Sequence, residues 1–222
     1  MNKVVAITGA TGVLGSLVSR TFGEHGHSLA LFGNDQEKLD SLARDLDLPD
    51  ERFFHLAVDL RDGEAVHSAA EAITAKFGSV HALIHLVGGW TGGKTLVETP
   101  ASDFDFMLKQ HAWTTFHLFQ SFSPLLAASK WGRVIIVSAS TVPNPPGKTA
   151  AYTAAKAAQE NLVLNLAAEL KESNVTANII QVRAIDTKGE GKGTPPAEIV
   201  SAMLYLFSED AAKINGARIP LY

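Results

Sequence analysis

Cysteine is absent from this chain of 222 residues. Disulfide staples, thiolate nucleophiles and cysteine-ligated metals are therefore excluded. No apolar run is long enough to span a bilayer, so a membrane partner is not expected. The eight histidines show no HxxH or HExxH spacing, and no metal site is expected. There is no run of Lys or Arg, and 19 basic against 23 acidic residues leave a net charge of −4. Nucleic acid and anionic membrane surfaces are poor partners for such a chain. The first apolar run starts beside Lys3 with no signal peptide before it, which gives the expectation of a soluble, cytoplasmic protein.

Hydrophobic residues make up 46% and charged residues 19%, the balance of a globular chain rather than a disordered one. Short apolar runs cover residues 4–8, 28–32, 52–58, 82–87, 134–137, 175–182 and 217–221. Gly, Asp or Ser bounds them, and they read as buried strands of a parallel sheet. Helical periods lie between. Leu14, Leu17, Val18 and Phe22 mark the first, ended by Gly26, and Leu39, Leu42, Ala43 and Leu46 mark the second. Later helices are expected over 62–77, 102–129, 151–172 and 196–208. This alternation predicts an α/β fold, a single doubly wound Rossmann domain over 1–222 with about seven strands. Two loops, 88–100 and the proline-rich 143–147, follow strand ends where such sheets bind ligands.

Thr8-Gly9-Ala10-Thr11-Gly12-Val13-Leu14-Gly15 joins the first strand to the first helix. Its glycines allow a tight turn and close approach of backbone N–H groups to a pyrophosphate at the helix N-terminus. Asp59, at the end of the third strand, either accepts from an adenine amino group or caps the next helix. An acidic residue at the end of the second strand would hold the ribose 2′-OH of NAD, and a basic one the 2′-phosphate of NADP. Asn34 is neutral and Asp35 lies further along, so the cofactor is NAD or NADP with no preference legible. Tyr152 and Lys156, in Ala151-Tyr152-Thr153-Ala154-Ala155-Lys156, stand four apart and share one helix face. The ammonium is expected to lower the phenol pKa toward neutrality and make Tyr152 a proton donor.

Together these residues resemble the short-chain dehydrogenase/reductase superfamily over essentially the whole chain. The likeness includes the glycine loop, Asp59-Leu60, Gly88 after the fourth strand, the Tyr152/Lys156 pair, Thr187 after the sixth, and Ile214-Asn215-Gly216-Ala217-Arg218-Ile219-Pro220. It implies Tyr152 as proton donor, Lys156 on the nicotinamide ribose and Thr187 on the carboxamide. It also implies a homodimer or homotetramer through the helices at 102–129 and 151–172. Trp113, Phe116, Phe119 and Phe122 on the former read as core or subunit interface.

The departures are informative. The glycine spacing is GxxGxxG. The family's Asn-Asn-Ala-Gly reads His85-Leu86-Val87-Gly88. Its catalytic serine, thirteen before the tyrosine, is Ala139, and its helix asparagine is His111. Arg183 stands in its Pro-Gly turn, either to meet a phosphate or acidic substrate or to cap the strand. The segment after Thr187 is short where a longer substrate lid is usual. One branch shares several departures: Gly88-Gly89-Trp90-Thr91-Gly92-Gly93 and Lys109-Gln110-His111-Ala112-Trp113-Thr114 resemble dihydropteridine reductase.

That likeness implies hydride transfer from NAD(P)H to a quinonoid dihydropteridine, an acceptor electrophilic enough to dispense with the serine hydroxyl. Trp90 then either offers a flat face to the heterocycle or anchors its loop. Ser140 reaches the site only if the chain twists beyond the strand, and is otherwise a loop hydroxyl. His111 is either a proton relay or a satisfied structural histidine. The alternatives are a carbonyl/alcohol oxidoreductase using Ser140 or His111, and an NAD(P)-binding sensor or assembly protein without chemistry.

Overall fold

The computed structural model describes residues 2–222. Seven strands follow one another as β1 (Val4–Thr8), β2 (Ser28–Gly33), β3 (Phe53–Ala57), β4 (Ala82–His85), β5 (Gly132–Ala139), β6 (Val175–Val182) and β7 (Arg218–Pro220). They form one parallel sheet in the order β3-β2-β1-β4-β5-β6-β7. The chain leaves β1 toward one edge, then returns to build the other half from β4. The C-terminal ends of β1 and β4 thus diverge into a crevice, the place where an open α/β sheet receives a ligand.

The helices are α1 (Val13–Glu24), α2 (Gln36–Leu46), α3 (Gly63–Phe77), α4 (Ala101–Leu108), α5 (Thr114–Ala128), α6 (Ala150–Glu169) and α7 (Pro196–Phe207). On one face of the sheet, Val134 and Ile136 pack with Ile73 of α3, Phe122 of α5 and Val163 of α6. On the other, Ile7 and Ile135 pack with Phe22 of α1, Leu39 of α2 and Met203 of α7. Each such fully buried Leu, Ile or Phe contributes roughly 1.5–3 kcal/mol. No helix among the described residues is long and apolar enough to cross a membrane.

Three expectations are corrected. Not every strand is buried: β3 is half-buried and β7 largely exposed, because each forms an edge with no neighbour beyond it. The helix expected over 102–129 is broken by a π-helical turn at Lys109–Trp113. There the Thr114 and Thr115 hydroxyls donate to the carbonyls of Gln110 (2.8 Å) and His111 (2.7 Å), supplementing the backbone bonding of the widened turn. One residue inserted in a helix leaves the apolar period almost unchanged, so the sequence pattern passes over it. The helix expected to reach 172 stops at Glu169, followed by a 3-10 turn and a left-handed Asn174. The aromatic stripe also divides: Phe119 and Phe122 are in the core, whereas Trp113 and Phe116 are exposed.

Candidate active site

The turn after β1 is built around two glycines. Gly9 has φ +70, and a Cβ there would meet the Leu86 backbone carbon at 3.1 Å. At Gly15 a Cβ would stand 2.1 Å from the Gly9 carbonyl oxygen and 2.8 Å from Ala10 Cα. The loop therefore closes onto the first turn of α1, with Gly12 as N-cap. The amides of Val13, Leu14 and Gly15 begin the helix and have no intrahelical acceptor. Leu14 itself turns its side chain into the core and Val13 exposes its own.

A cleft of about 650 Å³ opens from this loop. Its walls include Gly9, Thr11, Gly12, Asn34, Asp59, Leu60 and Gly88. It is large enough for the adenosine and pyrophosphate of a dinucleotide, and the glycine cradle and helix N-terminus suit an anionic diphosphate. The residues present thus fit NAD(P). At the end of β2 Asp35 is committed elsewhere: it caps α2 by accepting from the Lys38 amide and pairs with Lys38 Nζ at 3.1 Å. Asn34 alone of the two lines the cleft. Asp59 is not a helix cap; Asp62 takes that role for α3. Asp59 instead holds Arg61 through three bonds, 2.8 Å from Nε, 2.7 Å from Nη2 and 3.0 Å from the backbone amide, which keep its carboxyl below the usual range. Arg61 lines the cleft beside it, a partner that only the loop conformation after β3 reveals.

At the inner end of the cleft Gly88 lies against His111, whose Cε1 is 3.2 Å from where a Gly88 Cβ would be. The His111 ring stands edge-on to Tyr152, with centroids 5.7 Å apart. The π-helical turn on one side and α6 on the other therefore bring Gly88, His111 and Tyr152 together. His111 Nε2 lies 2.9 Å from the Gly89 carbonyl. A carbonyl only accepts, so Nε2 carries the proton, and the buried Nδ1 is a lone pair without a partner. Lys156 Nζ donates to the Val137 carbonyl (2.9 Å) and to Gln159 Oε1 (2.8 Å).

The expected lowering of the Tyr152 phenol is overturned. Burial raises its pKa, and the Lys156 ammonium bonds the Val137 carbonyl and Gln159. Burial also lowers Lys156, to about 8, opposed by the nearby Glu160 charge. Tyr152 is thus a neutral phenol through the physiological range, able to donate its proton to a developing alkoxide.

The serine position, Ala139, is buried and offers no hydroxyl. Ser140 is half-buried beyond the strand, with its amide on the Val182 carbonyl. Two neighbouring hydroxyls, Ser138 Oγ and Thr141 Oγ1, are buried and unpaired. Trp90 is 63% exposed, and its ring folds back to within 2.8 Å of the Cβ position of Gly92. Thr187 is exposed on the loop after β6, outside the cleft wall, and Arg183 is exposed as well. Trp90 and Ser140 also lie outside that wall.

His85 adds a buried polar element beneath the cleft. Its Nδ1 is 2.6 Å from Thr8 Oγ1 and its Nε2 3.5 Å from Thr114 Oγ1. The Thr114 proton is used on the Gln110 carbonyl, so Nε2 donates to Thr114 and Nδ1 accepts from Thr8. Burial holds His85 and His111 both at about 3. In the unfolded chain they take up protons near pH ~6.5. Between those values the unfolded state binds more protons than the folded one, so stability is full above the window and falls as pH drops. The slope is about 1.4 kcal/mol per pH unit for each histidine. Thermal melts between pH 7 and 4 should show a falling midpoint, and His85→Asn should flatten the curve. A midpoint insensitive to pH in the wild type would contradict neutral burial.

Comparison with known proteins places these features in context. The family model described as short chain dehydrogenase matches residues 3–196. A 3-oxoacyl-[acyl-carrier-protein] reductase, MabA, of Mycobacterium bovis is 25% identical, over 100% of this chain and 92% of its own length. A 7alpha-hydroxysteroid dehydrogenase of Escherichia coli is also 25% identical, over 96% of this chain and 90% of its own. Among solved structures, sorbitol-6-phosphate 2-dehydrogenase SrlD from Erwinia amylovora superimposes with a TM-score of 0.91 at 19% identity. That match covers 98% of this chain and 97% of the other.

Proposed function

The chain belongs to the short-chain dehydrogenase family, and we propose that it interconverts a small carbonyl compound and its alcohol, with Tyr152 as the proton donor and acceptor. It is an NAD(P)-dependent oxidoreductase. The observation that carries the reading is the half-buried, neutral Tyr152 phenol edge-on to His111, whose ring in turn packs against Gly88 of the cleft wall. When bound, the nicotinamide supplies or takes up the hydride. The amides of the Gly9–Gly15 turn hold the pyrophosphate, Asp59 and Leu60 the adenine, and Asn34 the adenine-side ribose. Lys156 holds the nicotinamide ribose, and Thr187 the carboxamide. Tyr152 Oη gives its proton to the carbonyl oxygen as negative charge develops there. Residues 1–222 act as one domain with a short lid after Thr187, and the exposed Trp113 and Phe116 on and beside α5 serve a homodimer or homotetramer contact.

A quinonoid dihydropteridine acceptor is the second reading. Ala139 favours it, since an acceptor already electrophilic at its ring needs no second hydroxyl donor. The named relatives act on oxoacyl and hydroxysteroid groups, which favours the carbonyl reading. A binder without chemistry has no use for a phenol kept protonated beside His111.

The test is a panel of a β-ketoester, a cyclic diketone, a hydroxysteroid and a quinonoid dihydropterin, each with NAD(H) and NADP(H) followed at 340 nm. Turnover of a ketone or alcohol with no acceleration of the pterin supports the proposal. Turnover of the pterin alone transfers it to the second reading, and no turnover of any member removes both.

A further inference from the structure

Gln159 lies one helical turn beyond Lys156 on α6 and is almost fully buried, at 1% exposure. Its Oε1 accepts from Lys156 Nζ (2.8 Å), and its Nε2 donates to Thr115 Oγ1 (2.9 Å). Thr115, fully buried, donates in turn to the His111 carbonyl in the π-helical turn (2.7 Å). Valence fixes the orientation of the amide. The Thr115 proton is spent on a carbonyl that only accepts, so its oxygen must receive an N–H. The Gln159 nitrogen therefore faces Thr115 and its oxygen faces the ammonium. A flipped amide would set N–H against N–H at one end and leave the Thr115 oxygen without a donor at the other.

We infer that Gln159 is a positioning residue for Lys156. With Thr115 it ties the ammonium to the π-helical turn that carries His111. This rests on the reading of Lys156 as the ammonium of the active site. Two of the three N–H bonds of Lys156 are assigned, to Val137 O and Gln159 Oε1, and one is left for a ligand oxygen. The pair thus sets both where the ammonium sits and which direction remains open. A hydrogen bond to a charged group in a buried site also stabilises the charged form. The other titratable groups around Lys156 are Tyr152 and Glu160 on α6, His111 on the π-helical turn and His85 at the end of β4. Glu160 accepts from Gln181 (3.0 Å) and Arg218 (2.6 Å) and acts on Lys156 through its charge, with no hydrogen bond between them. Both histidines are neutral above the acid range, so Gln159 is the neutral side chain whose dipole is aimed at the ammonium.

The test reads the ammonium directly. Protein labelled with 13Cε-lysine is titrated by NMR without cofactor, and the Lys156 signal is identified by its loss in Lys156→Met. Gln159→Leu should lower the Lys156 midpoint by about one pH unit or more, and Gln159→Glu should raise it by a similar amount. The alkaline limb of kcat for a substrate found in the panel should move in the same two directions. A residue that only fills space would lower the thermal midpoint and leave the lysine titration where it is. Unshifted midpoints in both variants would overturn the inference. If Gln159→Leu does not fold, Gln159→Glu decides alone: a raised midpoint supports the role and an unchanged one removes it. An enzyme without ketone or alcohol turnover would sink the functional reading, while the titration would still decide the role of Gln159.

Discussion

Tyr152→Phe should abolish ketone turnover and leave cofactor binding intact. The substitution removes one oxygen and keeps the ring that stands edge-on to His111, so packing and the cleft walls are preserved. What is lost is the proton for the carbonyl oxygen. Ala139 offers no hydroxyl in the place where a second donor would stand. Loss of a positioned general acid costs about 10²–10⁴-fold in rate, and the high end of that range is expected. The measurement is kcat for the best ketone beside a fluorescence titration with NAD(P)H. Dissociation constants within about threefold of each other, with kcat below a hundredth of wild type, are the expected pair. A variant keeping more than a tenth of kcat would remove Tyr152 from the chemistry. It would direct attention to Ser140 or to the buried Thr141 hydroxyl. Burial raises the phenol pKa, so loss of the Tyr152 proton should not cause any alkaline fall of the reductive rate within the physiological range.

Gly15→Ala should disable the nucleotide site by a route that involves no chemistry. The added Cβ would fall 2.1 Å from the Gly9 carbonyl oxygen and 2.8 Å from Ala10 Cα and O. None of these is the end of a flexible side chain, so the turn itself has to open. Overpacking against backbone costs ~3 kcal/mol or more here, at or above the top of the usual range. The displaced segment is the one whose amides face the diphosphate. A drop of more than about a hundredfold in NAD(P)H affinity is expected, together with a lower thermal midpoint. Gly147→Ala is the control, since a Cβ there meets nothing within 4 Å and should leave both quantities unchanged. Binding at wild-type strength in Gly15→Ala would mean that the turn is not the phosphate cradle.

Most of the sheet was legible from runs of apolar residues, because a strand buried on both faces has no polar positions to hide it. The edges were less so: nothing in Phe53–Ala57 announces that a neighbour is missing, whereas Pro220 in Arg218–Pro220 is a residue suited to an edge strand. The tight glycine turn and the shared helix of Tyr152 and Lys156 were legible as short local patterns, whereas the Arg61 partner of Asp59 was not. Asp35 shows the limit. As a sequence position it is an acidic residue near a ribose site, and as folded it is a helix cap with its carboxylate on Lys38.

Local sequence by itself thus determined the α/β class, the strand–turn–helix closed by Gly9 and Gly15, and a phenol and an ammonium on one helix. Each follows from periodicity or from backbone freedom within a few residues. Tertiary structure decided the rest, where groups distant in the chain compete for the same partner. It set Lys156 on Val137 and Gln159 and buried the Tyr152 ring, and that burial raises the phenol pKa where spacing predicted a fall. It inserted a π-helical turn that sets His111 against Gly88, and it joined Gln159 to Thr115 across 44 positions of sequence. Burial and hydrogen-bond valence settle such matters, and both are properties of the packed molecule that no local pattern encodes.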